Sequence, residues 1–139
     1  MKMFLIFLAA IATAVLAGQE KRVSASDGWL KLPAAGETQA MAFANFENST
    51  MYAVYLKSAT ADVAQKVELR DASLSGDAAL KALEFVTVPA QDWAYMGPKG
   101  AHLLLMDLKR PLKEGDTVTL TLTTEIGDTL RVTATVKKE

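Results

Sequence analysis

The chain has 139 residues, with 15 Lys and Arg against 16 Asp and Glu, a formal net charge of -1 at pH 7 and a pI of about 5.9. Half of the residues are hydrophobic and 22% are charged, which is typical of one globular domain and excludes a disordered chain. The balanced charge and the lack of a basic stripe with interleaved aromatic residues exclude nucleic-acid binding, and the lack of cysteine excludes thiolate metal sites, thiol redox chemistry and a cysteine nucleophile.

The first residues have the pattern of a secretory signal peptide. Lys2 gives a short positive start, and residues 4–16 form an apolar run without charge. Small residues at the positions that a signal peptidase reads predict cleavage after Ala17, so that residues 1–17 are the signal and residues 18–139 are the mature domain. An uncleaved anchor is the alternative, but the run is shorter than the roughly 20 residues that a spanning helix needs. No cysteine follows the run, so it is not a lipoprotein signal, and we expect a periplasmic or secreted protein without a membrane span after cleavage.

Short apolar or alternating segments predict strands in the first half of the domain. Trp29 is the candidate for the first buried aromatic anchor. Residues 41–46, MAFANF, are apolar on both faces, which predicts a strand in a central position. Residues 51–58 and 67–70 are predicted to be further strands.

The middle of the chain is ambiguous at first sight. The apolar spacing in residues 80–88 fits a helix, but Val86, Thr87 and Val88 favour a strand over the second half, and Pro89 ends it. Residues 93–96 carry two aromatic side chains and a methionine, and they predict a short strand that is followed by the turn at residues 97–100.

The last third of the chain has the clearest strand pattern. Residues 101–108 and 117–124 are predicted to be two strands of a hairpin, joined by a turn at residues 113–116. Residues 117–124 alternate apolar side chains with threonines, which predicts one buried and one exposed face. The final strand, residues 130–136, is expected to pair with residues 117–124. Its inward side chains are expected to be Leu130, Val132, Ala134 and Val136.

Together these segments make seven to nine short, evenly spaced strands with turn residues between them. This pattern predicts an all-β protein with a single-domain Greek-key barrel or sandwich. The chain shows no internal repeat and no linker to a second domain.

The sequence offers little for catalysis. His102 is the only histidine, so a Ser-His-Asp triad would need it, and no serine lies in a Gly-x-Ser-x-Gly context. The carboxylates occur singly in turns, and no glycine-rich phosphate loop is present. We therefore predict that the protein is not an enzyme.

Several segments together resemble one family. They are VEL at residues 67–69, VTVPA at 86–90, GPKGAHLLLM at 97–106 and LKRPLKEGDTVTLTLT at 108–123, with FANFEN earlier in the chain. They are similar to the PCu(A)C-type periplasmic copper chaperones. The resemblance implies a cupredoxin-like β-barrel and a function in copper binding and delivery, for example to respiratory oxidase assembly.

The resemblance also implies a ligand set. Members of the family bind Cu(I) through two histidines and two methionines, soft donors that suit this ion. On this chain the first His position is Arg70, the middle Met position is Leu80, the second His is His102 and its Met partner is Leu104. His102 is therefore the single candidate metal ligand that remains, and a guanidinium near it would disfavour both a metal ion and an imidazolium.

Other methionines are possible substitutes. Met106 lies on the same strand as His102 but about 13 Å along it, which is too far for joint ligation. Met96, across the turn at residues 97–100, is the plausible substitute. The alternative is that the methionines fill the core, and that His102 is hydrogen-bonded at the rim of the barrel.

Two functions follow from these residues. The first is an exported copper-chaperone-family protein that handles Cu(I) through His102 and non-standard ligands, with a copper-receiving protein as partner. The second is a module that binds no metal and uses Leu80 and Leu104 beside Arg70 as a surface for another periplasmic protein.

Overall fold

The computed structural model describes residues 22–138, and the predicted signal peptide lies outside them. The described chain contains nine strands and one 3₁₀ turn at Gly76–Leu80. The strands are β1 Val23–Lys31, β2 Ala40–Asn48, β3 Val54–Ala61, β4 Ala64–Asp71, β5 Val86–Val88, β6 Asp92–Tyr95, β7 Ala101–Leu108, β8 Thr117–Thr124 and β9 Thr129–Lys137. The prediction of an all-β fold is confirmed. No helix in this part of the chain is long and apolar enough to cross a membrane.

The strands form one nearly closed, barrel-like sheet in the order β4-β7-β2-β1-β9-β8-β3-β5. β7 pairs with residues 40–42 of β2, and the short strand β6 pairs with residues 45–48 of β2. All the neighbouring pairs are antiparallel except β1 and β9, which run parallel. Strands that are adjacent in the sheet are thus mostly distant in sequence, as a Greek-key arrangement requires.

The core follows the predicted alternation closely. The four inward residues predicted for β9 are all buried, and so are Val118, Leu120 and Leu122 of β8. Residues 42–44 of β2 are all buried, which confirms that this strand is central. The largest fully buried hydrophobic side chains are Phe43, Phe46, Leu30, Leu56, Leu103, Leu105, Leu120 and Leu122.

The predicted hairpin of β7 and β8 is wrong, although both strands have the predicted bounds. β7 pairs with β4 and β2, whereas β8 pairs with β3 and β9. The eight residues 109–116 therefore connect two separate regions of the sheet, and the Lys109 N–H donates to the Val63 carbonyl on the way. Alternation specifies which face of a strand is buried, but it carries no information about which edge finds a partner.

Two predictions near the beginning of the domain need correction. The third strand begins at Val54 and not at residue 51, because residues 49–53 form a turn around the side chain of Asn48. Trp29 is half-buried and stacks on the buried Phe43 ring, with 4.5 Å between the ring centroids. It covers the core from outside.

Candidate metal-binding face

One face of strands β4, β7 and β2 carries three of the four residues that the family resemblance selected, all except Leu80. In the antiparallel pair of β4 and β7, Arg70 lies directly opposite His102, and Glu68 lies opposite Leu104. On the other side of β7, Met41 of β2 lies opposite Leu104. Because side chains alternate along a strand, these five residues share a face, and we call it the ligand face.

The opposite face of β7 belongs to the core. Leu103 and Leu105 are completely buried and alternate with His102 and Leu104. The strand thus has one face that holds the barrel together and one face that is available for a site.

The imidazole of His102 has a defined tautomer. Its Nδ1 lies 2.9 Å from the carbonyl oxygen of Gly100. A carbonyl oxygen can only accept, so Nδ1 carries the hydrogen and donates it. In the neutral ring Nε2 then has the free lone pair, which is the arrangement found in most histidines that bind a metal.

Aromatic side chains hold the same ring from the side of β2. The Phe43 ring centroid lies 6.4 Å from that of His102, and Trp29 in turn covers Phe43. His102 is only 5% exposed as a result. Most of the ring is therefore covered, and only a small part of it can meet an ion or a partner.

Arg70 brings a positive charge to the ligand face, but that charge is paired. Its Nη2 and Nε lie 2.7 and 3.1 Å from Oε1 of Glu68, and both side chains are mostly covered. The hydrogen bond from Arg70, followed by that from Lys66, lowers the pKa of Glu68 below its usual value. Glu68 thus offsets the guanidinium that would otherwise face His102 alone.

The other three positions considered as ligands, Leu80, Met96 and Leu104, lie in different parts of the structure. Leu104 is half-buried on the ligand face. Leu80 ends the 3₁₀ turn and is 67% exposed, and the chain after it returns to β4, where the Leu83 N–H donates to the Leu69 carbonyl. Met96, the proposed substitute ligand, belongs to the buried core cluster.

The sequence reading missed Met41 as a possible donor. It is half-buried and lies diagonally across from His102, since its direct partner is Leu104, two residues further along β7. Diagonal neighbours on a sheet are within reach of long side chains, so its thioether is the soft donor that the strand register places beside the imidazole. The pairing of β2 with β7 is the signal that would have found it, and that pairing is not readable from the sequence.

This donor set is small. Within residues 22–138, no group of three or more His, Cys, Asp and Glu side chains is placed to hold a metal ion. Cu(I) would find one imidazole and one diagonal thioether, where the family set has four soft ligands. The four-ligand site implied by the resemblance therefore does not fit this face.

Two sequence comparisons give the relatives of the chain. Residues 23–136 match the family described as "Putative lipoprotein LpqE-like". A protein of Leifsonia xyli subsp. xyli, named "Putative lipoprotein Lxx21020", is 30% identical over 121 residues, which are 86% of this chain and 72% of that protein.

Solved structures with the same fold carry PCuAC domains. The apo PCuAC domain from PmoF1 has a TM-score of 0.76 at 20% identity, covering 86% of this chain and 96% of that domain. The copper-bound PCuAC domain from PmoF2 has a TM-score of 0.73 at 21% identity, covering 86% and 95%. The solution structure of the Cu(I) form of DR1885 from Deinococcus radiodurans has a TM-score of 0.70 at 31% identity, covering 92% of this chain and 87% of that protein.

Proposed function

The chain belongs to the LpqE-like family, a PCuAC-type lipoprotein family, and from that premise we propose that it is an exported copper-handling protein in which His102 is the main contact to Cu(I). The Cu(I) form of the 31% identical DR1885 supports a copper function. We also propose that it is not an enzyme, in keeping with relatives of the chaperone and lipoprotein type.

The observation that carries the proposal is the contact between Nδ1 of His102 and the carbonyl oxygen of Gly100. The bond from Nδ1 to the Gly100 carbonyl leaves Nε2 free, and the strand register places the thioether of Met41 diagonally across from His102. Two donors cannot compete with a four-ligand site for Cu(I). The chain is therefore suited to brief copper contact, with further donors from a copper-receiving protein of the cell envelope.

A Cu(I) titration against a chromogenic competing chelator tests this function. Wild type should take up copper with an affinity better than micromolar. His102→Ala should weaken it at least tenfold, and Met41→Leu should weaken it to a smaller extent. Met51→Leu is the matched control, because Met51 lies in the turn at residues 49–53, away from the ligand face. Wild type that leaves all copper on the chelator would overturn the proposal.

A second candidate is a module that binds no metal and uses the ligand face to contact another protein. The ion pair of Arg70 with Glu68 and the near-complete burial of His102 favour it, because both reduce access to an ion. Leu80 and Leu104 would supply the apolar part of such a surface, and neither is buried in the core.

Restoring the family ligands separates the two candidates. Directly opposite residues on paired strands have Cβ atoms about 4.5–5.5 Å apart, so two histidines at positions 70 and 102 can contact one ion. Arg70→His/Leu80→Met/Leu104→Met should therefore bind Cu(I) at least a hundredfold more tightly than wild type. If wild type binds no copper and this variant does, the fold is competent and the second candidate holds. If the variant gains nothing, the assignment of these positions to the family ligands is wrong.

Export remains part of the proposal. The names of the family and of the Leifsonia protein indicate an exported, envelope-associated class. We propose cleavage after Ala17 and a periplasmic or secreted mature protein, which N-terminal sequencing of the protein from cells would test. A mature protein that begins at Met1 would contradict it.

A further inference from the structure

Two turns are joined at one pole of the barrel. One is the turn at residues 49–53 between β2 and β3, and the other is residues 125–128 between β8 and β9. The Glu125 N–H donates to the Tyr55 carbonyl at 3.0 Å, and the Tyr55 N–H donates to Oε1 of Glu125 at 3.1 Å. These bonds hold the second turn against the beginning of β3, beside the first turn.

Both turns expose large hydrophobic side chains. Met51 is 70%, Tyr52 is 80% and Ile126 is 50% exposed. They border a groove of about 640 Å³ whose other lining residues include Val54 and Arg22. Grouped exposure of this kind differs from the single exposed apolar residues found on any protein surface, and it indicates an interaction site.

The first turn presents its side chains in a fixed arrangement. The amide of Asn48 donates to the Tyr52 carbonyl at 2.9 Å, and the Thr50 hydroxyl donates to the same carbonyl at 2.8 Å. The Gln91 amide donates to Sδ of Met51 at 3.1 Å. Met51 and Tyr52 therefore point outward from a hydrogen-bonded turn.

The described part of the chain begins at this pole. Arg22, the first described residue, itself lines the groove. The apolar run at residues 4–16 ends six residues before it, and six extended residues span at most about 20 Å. Until the signal is cleaved, which we propose to occur after Ala17, the run in the membrane holds the groove within that distance of the bilayer.

We propose that this pole is a membrane-contact surface, on which Met51, Tyr52 and Ile126 enter the interface of a phospholipid bilayer. Tyrosine suits that depth because its ring is apolar and its hydroxyl stays hydrated. The two charged groups of the groove, Arg22 and Glu125, have opposite signs, so the surface fits zwitterionic lipid. The proposal is independent of copper and of the ligand face.

The absence of cysteine from the sequence makes the test direct, because an introduced cysteine is the only thiol. Ile126→Cys in the full chain is labelled with an environment-sensitive fluorophore and mixed with phosphatidylcholine vesicles that contain a nitroxide lipid. Leu80→Cys, which is also exposed but does not line the groove, is the matched control. The emission of the label at position 126 should shift to shorter wavelength, and the nitroxide lipid should quench it at least threefold more than the label at position 80.

A second variant measures the contribution of the first turn. Met51→Ser/Tyr52→Ser should weaken vesicle binding about tenfold, whereas Leu74→Ser/Leu80→Ser, at exposed leucines elsewhere, should leave it unchanged. Equal quenching at both label positions, or equal binding by both double variants, would overturn the proposal. A blue shift at position 126 that increases with protein concentration and does not depend on vesicles would show that a second copy of the chain covers this surface. That result would also overturn the proposal.

Discussion

Asn48 allows the sharpest test of what holds this barrel together. Its side chain is 1% exposed. Its Nδ2 donates to the carbonyls of Tyr52 and Val88 at 2.9 and 3.0 Å, and its Oδ1 accepts from the N–H and the hydroxyl of Thr50 at 2.9 and 2.7 Å. One amide thus joins the end of β2 to the following turn and to β5.

The expected cost of removing it follows from those four bonds. Each is worth about 1 kcal/mol net, so Asn48→Ala should lower the free energy of unfolding by about 4 kcal/mol at pH 7. Asn45→Ala is the control. Asn45 makes one bond, to Asp27 at 3.2 Å near the surface, and its loss should cost about 1 kcal/mol or less.

Asn48→Asp adds a dependence on pH. The new carboxylate would face two carbonyl oxygens, which favours its protonated form and raises its pKa in the folded state above the unfolded value of about 3.9. A group with a raised folded pKa stabilises below the unfolded pKa, and that contribution is lost as pH rises through the folded pKa. The deficit relative to wild type should therefore be large at pH 7 and shrink by at least half at pH 4.

Urea unfolding of wild type and the three variants at both pH values measures these differences. A loss below about 1 kcal/mol for Asn48→Ala would refute the account of this network. So would a deficit of Asn48→Asp that does not depend on pH.

Two more predictions concern the sheet itself. A Cβ on Gly28 would lie 2.8 Å from the carbonyl oxygen of Thr133, so Gly28→Ala should lower the free energy of unfolding by about 2 kcal/mol. Gly97 has open space around it, so Gly97→Ala should leave the stability unchanged. Thermal unfolding of both variants measures the difference. Glu68→Gln should cost about 0.5–1 kcal/mol at pH 7, because it breaks the ion pair with Arg70. Since the folded pKa of Glu68 is lowered, that cost should shrink as pH falls through this pKa, and a cost that stays constant as pH falls would contradict the role of its charge.

The sequence predicted features that depend on one strand and missed features that depend on two. The alternation in β8 and β9 predicted the buried faces of both strands correctly, because burial on one face imposes a period of two, and it predicted the bounds of β8 correctly and those of β9 to within one residue at each end. The partners of β7 and the position of Met41 beside His102 depend on register between distant strands. The bulge between Ser26 and Trp29 in β1 was not predicted for the same reason. Asp27 has a positive φ of 53° there, and the pairing with β2 that defines the bulge is not readable from β1 alone.

The two faces of β7 explain how the fold can persist while the metal ligands change. Leu103 and Leu105 fix the barrel from inside, and any change there costs core packing. His102 and Leu104 point the other way, and at the half-buried position of Leu104 a ligand can be exchanged for a hydrocarbon with little loss of stability. A change of Arg70 to His would also release Glu68 from its main partner and leave a carboxylate two residues away on the same face. The released carboxylate would attract Cu(I) to the face, by the same rule that makes a guanidinium disfavour the ion, so the ligand-restoring variant should bind copper less tightly once Glu68→Gln is added. If that addition has no effect on copper affinity, Glu68 plays no part in the chemistry of the face, and its ion pair with Arg70 is structural alone.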